Sequence, residues 1–146
     1  MDQAPVVSDR QVDGGERLIR ALVSQGFPLV GGCWAKTPRY SKPYLYLVTG
    51  KVQGVDARPS YRMVQAAFDE LESQWGHWQE KLDPFDVMLV APTDSIAKAL
   101  EVEYSHRHSP SPALQTDLLG GIVPLEGAAL IYPQSWFTQP APAAAG

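Results

Sequence analysis

Apolar positions along this chain fall into blocks of changing period, and each block predicts an element. Leu18, Ile19, Leu22 and Val23 form one stripe at helical spacing. Asp13 can cap that helix, with Glu16 three residues on as in a capping box, and Gly26 can end it in the left-handed conformation. Residues 28–36 and 43–52 then read as two strands of a hairpin, joined through a turn edged by Pro38 and Pro43. On the second strand Tyr44, Tyr46 and Val48 share one face and Leu45, Leu47 and Thr49 the other. Both faces are apolar enough to be covered, or one carries an exposed aromatic stripe. Gly31-Gly32 predicts a bulge or a close approach by another segment.

The clearest period follows, over residues 59–75. Tyr61, Val64, Phe68, Leu71 and Trp75 recur every three or four positions behind Pro59. Residues 86–91 are a short apolar run of the kind found in a central strand. Thr93 or Asp94 can cap a third helix over 94–106, with Ile96, Ala97, Leu100 and Tyr104 inward. Ser109-Pro110-Ser111-Pro112 breaks the chain. Residues 119–132 read as a second hairpin, Ile122 and Val123 against Ala128–Tyr132, with Glu126-Gly127 in the turn. The order α-β-β-α-β-α-β-β predicts an α+β fold: a five-stranded mixed sheet with helices packed predominantly on one face. Residues 12–137 form the expected single domain. Residues 1–11 and the Pro/Ala-rich residues 138–146 are expected to be tails.

Composition sharpens this picture. A chain of 146 residues with 45% apolar content can bury a core without disulfides or metals. The one cysteine, Cys33, sits in an apolar stretch and suits a small buried hydrophobe and a reducing compartment. The first residues resemble neither a signal nor a transit peptide, and no run approaches the roughly 20 apolar residues of a membrane helix. A cytoplasmic location and no membrane partner are therefore expected. Net charge is −4, with basic groups in excess up to Arg62 and acidic ones beyond it. That sign argues against general coating of DNA.

Four pieces of the sequence, GERLIRALVSQGFPLVGGCWAKTP, PSYRMVQAAFDEL, DVMLVAPTDSIAKAL and GGIVPLEGAALIYP, together resemble a group of small, uncharacterised bacterial proteins. The likeness spans roughly residues 13–133. In that group a helix ending in a Gly-Phe-Pro turn precedes a hairpin, and an "EdAyIY"-like strand closes the domain. Here Gly127 replaces the usual Asp and Ala129 the usual aromatic. The resemblance implies an α+β fold and brings no activity or functional residue with it.

Candidate chemistry is sparse. The first hairpin interleaves the cations Lys36, Arg39, Lys42 and Lys51 with the rings Trp34, Tyr40, Tyr44 and Tyr46. Such a surface suits a protein interface, where Tyr, Trp and Arg concentrate, or single-stranded nucleic acid, whose bases stack on rings and whose phosphates meet cations. A plainer reading puts the rings under helices and the lysines in solvent. His106 and His108, with His77, are conceivable zinc ligands, but an H-x-H pair does not share a helical face. Asp83, Asp86 and Asp94 flank the third strand, where carboxylates can work as acids and bases or as turn and cap residues. Asp69, Glu70, Glu72, Glu101 and Glu103 read mostly as solvated helix faces.

No cofactor is expected. The reading favoured is a non-enzymatic binding or accessory module that docks on a protein partner or self-associates through residues 28–52. The open edges of the sheet offer further contacts. The alternatives are a small hydrolase-type enzyme with a pocket near Trp75, His77 and Asp86, and nucleic-acid binding through the same hairpin.

Overall fold

Helix α1 (Asp9–Ser24) begins a turn earlier than an Asp13 cap would place it. Ser8 is the N-cap: its Oγ accepts from Gln11 N–H, and Gln11 Oε1 accepts from Ser8 N–H at 2.9 Å. Asp13 and Glu16 lie inside the helix and pair with Arg17 and Arg20 at 3.0 and 2.9 Å. The far end is as expected. Gly26 has φ +80°, its N–H bonds Val23 O, and Phe27 N–H reaches Leu22 O, which together make a Schellman motif. The computed structural model describes residues 6–52, 54–75, 82–106 and 110–137. Residues 6–11, expected as tail, belong to the fold: Val6 N–H bonds Ala128 O at 3.0 Å and Val7 is buried.

Strands β1 (Gly31–Ala35) and β2 (Tyr44–Val48) form the predicted antiparallel hairpin, with Cys33 opposite Tyr46 and no bulge in the register. Helix α2 (Arg58–Trp75) then crosses over to β3 (Val87–Val90), which runs parallel to β2. Helix α3 (Ser95–His106) starts where the Asp94 carboxylate accepts from Ile96 N–H at 2.9 Å. Four short strands follow: β4 (Ala113–Gln115), β5 (Leu118–Leu119), β6 (Val123–Pro124) and β7 (Ala129–Ile131). The main sheet is five-stranded and mixed, in the order β3-β2-β1-β7-β4, so the fold is α+β.

Two strand expectations are corrected. Val123 does not pair with the 128–132 segment. It pairs with Leu119 in a separate two-stranded sheet, while β7 inserts between β1 and β4. The fifth strand is thus β4, whose three residues carry too little period to be read. Strand β3 is an edge, not a centre. Its continuous apolar run reflects burial on both faces. On the side away from β2, Val87 N–H is taken by Pro84 O and Leu89 N–H by Tyr61 Oη at 2.9 Å.

Side chains alternate between two cores. Trp34, Leu45, Leu47, Leu89 and Leu130 point to the face covered by α1 and α2. Cys33, Tyr46, Val48, Val90 and Ile131 point to the face covered by α3 and the β5–β6 pair. Two helices on one face and one on the other is the predominance expected, with both faces closed.

A tyrosine hydroxyl stitches each face. On the first, Trp34 Nε1–H donates to Tyr132 Oη at 3.1 Å, and Tyr132 Oη–H donates to Val12 O of α1 at 2.7 Å. Gly15 allows that approach, since a Cβ there would overlap Tyr132 Oη. On the second face, Tyr104 Oη accepts from Gly32 N–H at 3.2 Å and donates to Tyr132 O at 2.9 Å. A Cβ on Gly31 would lie 2.8 Å from the Tyr104 ring, so the glycine pair of β1 marks a close approach, as expected. Glu103 departs from the solvated acidic face predicted for it. It is buried, and its carboxylate accepts from Gly120 N–H at 2.7 Å.

Candidate interaction surface at the hairpin end

The eight residues singled out in the first hairpin divide by geometry. The alternation of β1 and β2 sends Trp34 and Tyr46 to opposite cores, where they are 0% and 3% exposed. The expectation that they belong to a recognition surface is corrected: one ring is sealed under α1 and α2, the other under α3. Tyr46 hydrogen bonds the Thr37 side chain, and burial pushes its phenol up to about 12. Lys51 leaves the group for a different reason. It lies in the short 3-10 turn Gly50–Val52 beyond the far end of β2.

Five residues, Lys36, Arg39, Tyr40, Lys42 and Tyr44, remain at the turn between the strands. Tyr40 and Tyr44 meet edge to face at 5.1 Å, and Tyr44 meets the buried Tyr46 at 6.3 Å. The three rings form a ladder from the core to the surface, with Tyr40 and Tyr44 half-buried. Arg39 lies over the Tyr40 ring at 5.4 Å and Lys42 Nζ over Tyr44 at 5.3 Å. A turn braced this way is ordered in advance, and such order lowers the entropy cost of any association.

The cations are less available than their number implies. Lys42 Nζ pairs with Asp86 at 2.7 Å, and the hydrogen bond to that carboxylate holds the ammonium above its ordinary range. Lys36 pairs with Glu126 and also donates to Tyr40 O at 3.4 Å. Among the described residues no ion pair compensates Arg39, which is exposed.

The Lys42–Asp86 bridge ties the hairpin turn to the segment entering β3, and that segment adds a residue the sequence reading passed over. Asp83 caps a 3-10 turn, Pro84–Asp86, by accepting from Phe85 N–H at 2.9 Å. Phe85 in that turn is 83% exposed, more than any other large apolar side chain among the described residues. Its signal was present in Asp-Pro-Phe, a turn sequence that carries a ring with no periodic partner.

The other candidates resolve into structural roles or fall outside the described residues. Asp83 and Asp94 are caps and Asp86 is an ion-pair partner. Cys33 is fully buried, and burial followed by the nearby Glu103 carboxylate pushes its thiol up to about 12, so it is held as the thiol. His106 ends α3, whereas His77, His108 and the Trp75 side chain lie outside the described residues. Among the described residues no three His, Cys, Asp or Glu side chains are placed to hold a metal, and no helix is long and apolar enough to cross a membrane. Compared with known proteins, the chain matches no family model, no curated protein and no solved structure.

Proposed function

We propose that this protein is a non-enzymatic docking module that engages a protein partner through the β1–β2 turn and the turn that enters β3. The observation that carries the reading is Phe85. Phe85 is 83% exposed in the turn that Asp86 ties to Lys42, and Lys42 lies over one ring of the braced Tyr40–Tyr44 pair; an exposed ring joined to such a turn has the composition of an interface anchor. A protein partner is favoured over nucleic acid because Lys36 and Lys42 are already neutralised by Glu126 and Asp86. That leaves no continuous cationic track for a phosphate backbone. The setting proposed is the cytoplasm, where the single thiol of Cys33 stays reduced.

The test places a photo-crosslinking phenylalanine analogue at position 85 in the native host. The expected result is a discrete adduct that disappears on Arg39→Ala or Tyr40→Ala. An adduct of twice the 16.0 kDa chain mass identifies the partner as a second copy. No adduct, or one indifferent to both substitutions, ends the proposal.

A further inference from the structure

At the opposite end of β1 and β2 the second face is not completely filled. A pocket of ≈ 290 Å³ opens between the start of β1, the end of β2 and the inner side of α3. Its position has a topological cause. Strands β2 and β3 are parallel neighbours. The chain leaving β2 goes to α2, in the first layer, while the chain leaving β3 goes to α3, in the second. Connections that diverge to opposite faces of a parallel pair leave a crevice at the carboxyl ends of its strands, the position that ligands take in open α/β sheets. Val48 ends β2 and Pro92 lies on the loop leaving β3, and both line the opening.

The lining has a polarity. Val30, Val48, Leu100 and the Tyr104 ring make an apolar floor, over the bare backbone of Gly31. The Tyr104 hydroxyl is already committed to Gly32 and Tyr132. The charged side chain of the lining is Glu101, exposed at the rim one turn before Tyr104 on α3. No salt bridge to Glu101 is present among the described residues. A slot with an apolar floor, Gln134 in its wall and one carboxylate at its mouth selects an apolar body that carries a positive charge.

The geometry points to a second site, independent of the hairpin surface: a pocket for a small aryl- or alkyl-amine, its hydrocarbon part on Leu100 and Tyr104 and its ammonium on Glu101. The full chain, labelled with ¹⁵N, is titrated with 2-phenylethylamine and separately with 3-phenylpropionate, a probe of similar body and opposite charge. The amine is expected to shift the amides of Gly31, Leu100 and Glu101 saturably, with a Kd on the order of 1 mM, as befits a small pocket. The carboxylate should bind at least about tenfold more weakly. Glu101→Gln changes an exposed residue, so the fold is kept, and it should weaken the amine about fivefold while leaving the carboxylate no weaker. Absence of saturation by about 10 mM amine overturns the proposal. So do shifts that map away from these amides, or equal affinity for both probes.

Discussion

The two faces of the sheet solve the same packing problem with the parts exchanged. Under α1 the tyrosine comes from beside the strand and the glycine from the helix: Tyr132 against Gly15. Under α3 the helix supplies the tyrosine and the strand the glycine: Tyr104 against Gly31. The outcomes differ. Tyr132 is completely enclosed, with its hydroxyl shared between Trp34 and Val12, whereas Tyr104 borders the ≈ 290 Å³ pocket. A close contact with no free volume around it fixes a helix, while the same contact beside a void leaves the ring somewhere to move.

Substitutions that disturb each contact test that contrast. The largest effect is expected from Gly15→Ala. In an open helix interior this change stabilises by roughly 1 kcal/mol. Here the new methyl group overlaps an enclosed, doubly bonded hydroxyl, so the sign should reverse to a loss of about 3 kcal/mol in urea unfolding. A neutral or stabilising outcome would mean that α1 is free to shift. Next, Tyr132→Phe strands the buried indole N–H of Trp34 and takes a second donor from the Val12 carbonyl, for a loss of about 2 kcal/mol. Gly31→Ala should cost less, about 1 kcal/mol, because the Tyr104 ring can yield toward the pocket. Equal costs for Gly15→Ala and Gly31→Ala, read from urea midpoints, would erase the distinction between the faces.

A further effect is silent at neutral pH and appears only at alkaline pH. Cys33 and Tyr46 on the second face are both pushed up to about 12 by burial. Each is neutral when protonated, and the unfolded chain releases its protons first, from about pH 8.5 for a thiol and 10 for a phenol. Above those values the unfolded state binds fewer protons than the folded state, so stability falls as pH rises. The contribution is whole near pH 8 and declines toward pH 12. Urea midpoints collected from pH 8 to 11 should fall less steeply in a Cys33→Ala, Tyr46→Phe double variant. A parallel decline would assign the loss to other groups. Tyr132 and Tyr104, also raised by burial, remain in that variant and should keep part of the slope.

Much of this fold was legible because its helices are long enough to show a period. The α2 stripe of Val64, Phe68 and Leu71, the α3 stripe of Ile96, Ala97, Leu100 and Tyr104, and the Gly26 turn are all found where the pattern puts them. Elements of two or three residues were not legible. Neither β4 nor the β5–β6 pair is long enough to alternate, and their pairing is set by contacts distant in sequence. The start of α1 was misread because Asp13 followed by Glu16 imitates a capping box, whereas both lie inside the helix and pair with Arg17 and Arg20. The two faces of the second hairpin strand were readable from its alternation, but the covering of both was not. A list of rings and cations does not reveal that alternate rings enter opposite cores, nor that Glu126, ninety residues from Lys36 in the chain, would neutralise it.

The tyrosine that caps the outer side of β3 has a consequence for assembly. Filaments built by strand addition need both rims of each sheet available, one to receive and one to offer. With Leu89 bonded to Tyr61 and Val87 to Pro84, the β3 rim has its donors spent, which leaves the three-residue β4 strand as the other rim of the main sheet among the described residues. Growth of the main sheet by that route stops at a pair of molecules.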